Sequence, residues 1–141
     1  MKALPLIFAL LLAGPLAAQS EEDLVREAVQ KYIEGSSYNR EQVFLEAFYE
    51  DARMFLSHPE REIWVLSPQE YSAPFADRSP GEYNGRKGNI LAVDVENDIA
   101  TAKAEIFLPN ADRRYVDLFL LKRLGGEWKI LSKAATSEPL P

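Results

Sequence analysis

The chain has no cysteine and only one histidine, His58, among its 141 residues. Disulfides and thiolate metal sites are therefore excluded, and an imidazole-based metal centre is left with a single ligand. Carboxylates are plentiful enough to leave a calcium site open, but no EF-hand loop is spelled out and no metal-ligating residue is singled out. Positive charge is also in deficit: 16 Lys and Arg stand against 22 Asp and Glu, a net charge of −6. Nucleic acids and anionic membrane surfaces select basic patches, so neither is an expected partner. Gly-rich phosphate loops, nucleophile motifs and paired-carboxylate spacings are missing as well. No internal repeat or low-complexity tract stands out. No apolar run reaches the roughly 20 residues that a membrane-spanning helix requires.

What is present begins with a short apolar run. Lys2, then Leu4–Leu12, then Gly14-Pro15-Leu16-Ala17-Ala18 supply the three parts of a secretory signal peptide. The expectation is an exported protein, periplasmic or extracellular, with a leader over residues 1–18 and a single domain over 19–141. No membrane association is expected once the leader is gone. The remaining 123 residues carry 15 basic against 22 acidic side chains, a net charge of −7. That length supports one hydrophobic core without disulfides.

Ser20 caps a helix whose first turn carries Glu21, Glu22 and Asp23, acids suited to the positive end of its dipole. Leu24, Val25, Ala28, Val29, Tyr32 and Ile33 recur at helical spacing, and Gly35 is the expected terminator. A second helix is predicted from a cap at Asn39 with Gln42, through Val43, Phe44, Ala47 and Phe48, stopping around Glu50-Asp51. Ala52–Ser57 and Glu62–Leu66 read as strands about the His58-Pro59 turn. Ser67 and Glu70 form a capping box with Pro68 at the first helical position. Residues 79–89 are polar and turn-rich, and a mobile loop is expected there. Two strands follow. Ile90–Glu96 sets Leu91, Val93 and Val95 on one face, with Asp94 opposite them toward solvent or a partner subunit. Ala100–Leu108 aligns Ala100, Ala102 and Ala104, small residues that admit the close approach of a helix or a ligand.

The last element is a long hairpin about Gly125-Gly126. That turn pairs Leu124 with Glu127, Arg123 with Trp128, Leu121 with Ile130, Phe119 with Ser132 and Asp117 with Ala134. Alternation then puts Asp117, Phe119, Leu121, Trp128, Ile130 and Ala134 on one face. Val116, Leu118, Leu120 and Leu131 share the other with Lys122, Lys129 and Lys133. A carboxylate thus sits on the more apolar face. It either reaches a pocket, where apolar surroundings disfavour its charged form and suit it to acid–base work, or lies near the strand entrance, hydrogen-bonded to a helix end or paired with Arg113 or Arg114. The leucine stripe opposite implies an interface rimmed by lysines.

The order is helices first, then an antiparallel meander, an α+β class. AFYEDARMFL (47–56), ILAVDVENDIATAKAEI (90–106) and YVDLFLLKRLGGEWKILSK (115–133) resemble the nuclear transport factor 2-like superfamily. Within it, the chain looks most like the putative lumazine-binding and SnoaL-like groups, over nearly the whole length after the leader. The resemblance implies a strongly curved antiparallel sheet, cone-shaped, packed on three helices, with a pocket at its mouth and a homodimer formed through the sheet. It does not carry an activity with it. Catalytic members such as ketosteroid isomerase use an aspartate base and a tyrosine on the first helix. Asp117 and Tyr32 are therefore the candidate catalytic residues of a metal-free isomerase, cyclase or dehydratase. The second acidic donor of the isomerase oxyanion hole has no counterpart, and His58 is expected outside the cone, where a dehydratase would need it inside. Trp64, Tyr71, Phe107, Tyr115 and Phe119 are the expected ligand-binding wall, joined by Phe75, for a small apolar or aromatic molecule and no cofactor. The leading expectation is thus an exported, homodimeric small-molecule binder. The alternatives are the Asp117 enzyme and a purely structural dimer.

Overall fold

Ser20 opens the first helix as its sequence requires: its hydroxyl accepts from Asp23 N at 3.1 Å, and Asp23 returns the bond to Ser20 N. In the computed structural model the described residues are 18–141, so the expected leader lies outside them but for Ala18. Helix α1 (Glu21–Ser37) buries the stripe Val25, Ala28, Val29, Tyr32 and Ile33. Gly35 does not end it. A Cβ at Gly35 would lie 2.5 Å from the backbone nitrogen of Phe44, so this glycine permits α1 to touch helix α2 (Glu41–Glu46). Asn39 is not the cap of α2 either. It takes a left-handed φ of 52°, and its side-chain amide donates to the carbonyl of Arg78.

The second helix also ends earlier than expected, because sheet pairing claims the chain. Ala47 O accepts from Ile130 N at 2.8 Å, and β1 (Phe48–His58) begins one residue later. After β2 (Arg61–Leu66), the capping box of α3 (Pro68–Ser72) forms as its sequence specifies, with Pro68 in the first turn. A 3-10 turn over Ala73–Asp77 follows it. Four strands complete the chain: β3 (Lys87–Glu96), β4 (Ile99–Phe107), β5 (Arg113–Leu124) and β6 (Glu127–Pro139).

The six strands form one sheet in the order β2-β1-β6-β5-β4-β3. All neighbours are antiparallel except β1 and β6, which run parallel. Four breaks in register bend the sheet, as bulges do, into a cone over the helices. Helix α1 lies on the concave side, where Gly88 leaves room for it: a Cβ there would meet Ile33 at 2.8 Å. In β3 the register break falls at Leu91. Ile90, Val93 and Val95 pack against the core while Leu91 is exposed, which removes it from the expected apolar face. Asp94 is exposed, as expected.

Residues 79–89 are more firmly tethered than their composition suggests. Gly81 N donates to Tyr38 O at 2.7 Å, and Asn84 N donates to Ser37 O at 2.9 Å. The Asn84 side chain adds bonds to Ser36 O and Asn39 Oδ1. The polar residues of this stretch close the end of α1.

Candidate ligand cavity

Between the concave face and the helices lies a cavity of about 290 Å³. Tyr32 reaches it from α1 and Asp117 from β5, whose alternation also aims Tyr115, Phe119 and Leu121 inward. The hairpin register holds near the turn, with Arg123 opposite Trp128 and Leu121 opposite Ile130. Then it slips by one. Leu120 pairs with Ser132, so Leu131 is an extra residue on β6. A one-residue shift exchanges the two faces of a strand. Phe119 therefore pairs with Lys133 rather than Ser132, and Asp117 with Ala135 rather than Ala134. Lys133, expected on the outer face, is buried inside, and Ala134 is exposed.

The outcome is a buried polar cluster. The Tyr32 hydroxyl donates to Asp117 Oδ2 at 2.6 Å. Lys133 Nζ donates to the Tyr32 hydroxyl at 2.9 Å and to Asp117 Oδ2 at 3.1 Å. Arg86 Nη2 donates to the same hydroxyl at 2.8 Å. The Tyr32 oxygen thus gives one hydrogen bond and accepts two, its full capacity. Both cations also lie 5.0 Å from the centre of the Tyr32 ring, within cation–π range. Burial first, and then the Asp117 carboxylate, hold the Tyr32 hydroxyl well above its ordinary pKa. It stays protonated and donating at physiological pH.

Asp117 therefore faces the cavity and not the neighbouring arginines. Arg113 bonds the Ser137 hydroxyl at 3.0 Å, and Arg114 bridges Glu105 and Glu138 at 2.9 and 2.8 Å. Trp64, Tyr71 and Tyr115 line the cavity as expected, together with Leu56, Ile106, Leu108 and Ala135. Three aromatics do not. Phe107 is not among the lining residues, because the alternation of β4 sends its neighbour Ile106 inward instead. Phe119 points inward but is sealed beneath the Tyr32 ring, 5.1 Å away, and Phe75 packs on Phe44 within the core. His58 stands at the β1–β2 turn, stacked edge-on against Trp64, and does not line the cavity.

Two of the four polar residues at the cavity floor were not singled out from sequence. Lys133 was misplaced by the bulge, whose only trace is the adjacent apolar pair Ile130-Leu131 interrupting the alternation. Arg86 sits in a turn-rich stretch where a polar residue looks solvated. It is aimed by Asn84, whose Oδ1 accepts from Arg86 N at 2.9 Å.

The fold and the pocketed cone define a nuclear transport factor 2-like protein. A protein of this kind and of unknown function from Shewanella baltica is 21% identical, with a TM-score of 0.70 over 82% of this chain and 92% of that one. One from Silicibacter pomeroyi is 22% identical, with a TM-score of 0.69 over 82% and 93%. A ketosteroid isomerase-like protein from Erwinia carotovora atroseptica is 15% identical, with a TM-score of 0.59 over 83% and 95%. At these identities the likeness establishes fold alone. The family described as "Putative lumazine-binding" matches residues 20–134, and the chain belongs to that family. No curated protein matches it.

Proposed function

We propose that the protein is an exported small-molecule binder that holds a compact, largely apolar or aromatic ligand inside the cone. The observation that carries this reading is the cavity itself: aliphatic and aromatic walls above a floor of four buried polar side chains. Such a combination holds an apolar body and fixes its orientation. Its volume, about 290 Å³, sits at the lower end of ligand pockets. The family description names a flat heterocycle, a shape of the kind these walls accept. Export rests on the leader pattern of residues 1–18. Homodimerisation rests on the outer sheet face, where Leu118 and Leu120 are exposed side by side. Native mass spectrometry of protein purified from its own compartment is expected to show a retained small molecule. A clean apo mass from every preparation, with the cavity closed in a crystal structure, overturns the reading.

One observation favours a second reading: Asp117 and Tyr32 share a cavity, as a metal-free isomerase or cyclase with Asp117 as general base requires. Against it, Asp117 Oδ2 already accepts hydrogen bonds from both Tyr32 and Lys133. A substrate proton is left to Oδ1 alone, and no second carboxyl group lines the cavity to supply the acidic donor of an oxyanion hole. Binding is therefore the better supported function.

A further inference from the structure

Arg86 is the residue that a merely apolar ligand leaves unexplained. It is 6% exposed and lines the cavity, yet its Nη1 is buried with no hydrogen-bond partner. A guanidinium remains protonated in proteins, and leaving its N–H groups dry and unpaired is costly. The cluster around it has little to give. The Tyr32 oxygen is already saturated, and Asp117 Oδ2 already serves Tyr32 and Lys133. Asp117 is also the sole carboxylate lining the cavity, facing two cations, Arg86 and Lys133. Tyr32, held neutral, adds no charge. The floor is therefore cationic by one charge, in a chain whose net charge is −6. In an acidic protein, a surplus cation buried at the floor of a cavity calls for an anion there.

We infer that the cavity takes a small organic monocarboxylate. Its carboxylate pairs with the Arg86 guanidinium beside Lys133, and its apolar body lies along Trp64, Tyr71 and Tyr115. A single negative charge balances the floor, whereas a phosphate dianion overshoots it and a neutral ligand, even one that accepts a hydrogen bond from Arg86, leaves the surplus charge uncompensated. Hydrogen bonds from a guanidinium to a carboxylate are shorter and stronger than neutral ones, so the charge sets affinity as well as orientation. This inference rests on the cavity being a ligand site, and it names the class of ligand.

The test is isothermal titration calorimetry on the mature chain with three matched pairs: benzoate and benzamide, 4-phenylbutyrate and its amide, hexanoate and its amide. Each acid is expected to bind about tenfold or more tightly than its amide, from the charge-assisted bonds alone. In Arg86→Gln the acid is expected to fall to the level of the amide. The acid–amide comparison is made on the wild-type chain, so it decides the matter even where the variant misfolds. Equal affinity of acid and amide overturns the carboxylate while leaving the cavity a ligand site. Inorganic phosphate binding as tightly as the acids overturns it as well, since the apolar body then contributes nothing. Failure of all six compounds, with a clean apo mass in native spectra, overturns both the carboxylate and the ligand site.

Discussion

On the two sides of Leu131, the concave face of the β5–β6 hairpin is built from different chemistry. Toward the turn it presents Leu121, Trp128 and Ile130, all buried against the core. At the rim of that half, Trp128 Nε1 and Arg123 both bond Glu21 at the start of α1, clipping helix to hairpin. Beyond the bulge, the same face presents Asp117 and Lys133 with Ala135 and Ser137, and space opens above them. Full burial of a side chain such as Ile130 contributes about 1.5–3 kcal/mol. A buried ion pair contributes little net stability, because desolvation offsets its attraction. One inserted residue thus divides a half that holds the fold together from a half that costs stability and faces the cavity.

The largest expected effect comes from breaking the polar half. Lys133→Met leaves Asp117 buried with its cation removed, and a loss of about 3–5 kcal/mol in urea unfolding is expected. The double variant Asp117→Leu, Lys133→Met is expected to recover most of that loss, since an apolar pair carries no desolvation penalty. A single-variant loss below about 1 kcal/mol would show that the pair is not held in a dry site.

The two halves should then part in a second experiment. Ile130→Ala opens a hole in the closed half and is expected to cost about 2–4 kcal/mol while ligand is still retained in native mass spectra. Ala135→Leu fills the open half, where space is available, and is expected to leave stability within about 1 kcal/mol while expelling the ligand. Reversed outcomes would mean that the cavity belongs to the core.

Tyr32 joins the halves, with its ring among Phe44, Phe48 and Phe119 and its hydroxyl in the polar cluster. Tyr32→Phe keeps the ring and is expected to cost about 1–3 kcal/mol, for the partners left unpaired. It should also change the pH profile. An unfolded tyrosine ionises near pH 10, whereas burial and Asp117 delay ionisation of the folded Tyr32. Between those two points the unfolded state binds fewer protons, so stability falls as pH rises past about 10. Urea midpoints between pH 9 and 11 are expected to fall less steeply in the variant.

These contrasts also show how far residue patterns reach. The α1 stripe, the Ser67–Glu70 capping box and the Gly125-Gly126 turn are local features, each decided within a few residues, and all three form as their sequences specify. Asp117 and Tyr32 were legible as inward residues because they lie where periodicity is unbroken. Lys133 was not, since its side is set by a bulge that answers to the curvature of the whole sheet. Arg86 was not, because its direction depends on Asn84 bonding back to the end of α1, a contact between residues 48 apart in sequence. The same distance from local control explains Gly35, whose role is visible only once Phe44 lies beside it.

The convex face offers the smallest effect on stability and the sharpest contrast with the concave one. Leu118 and Leu120 are 54% and 42% exposed there, so replacing Leu118 removes little burial from the folded chain. Substitutions at such positions usually stay within about 0.5 kcal/mol. Its cross-strand neighbour on β4 is Lys103, so Leu118→Lys adds a like-charge pair and Leu118→Glu an opposite-charge pair, differing by a few tenths of a kcal/mol in opposite directions. If the sheet forms the homodimer interface, both variants are expected to sediment as monomers, because either charge is desolvated against the partner copy. A dimer that survives both substitutions places its interface elsewhere. If only Leu118→Lys dissociates while Leu118→Glu holds, the partner surface opposite this position is itself basic. The pair of variants therefore reads the chemistry of the contact, while the near-constant stability of the chain excludes unfolding as its cause.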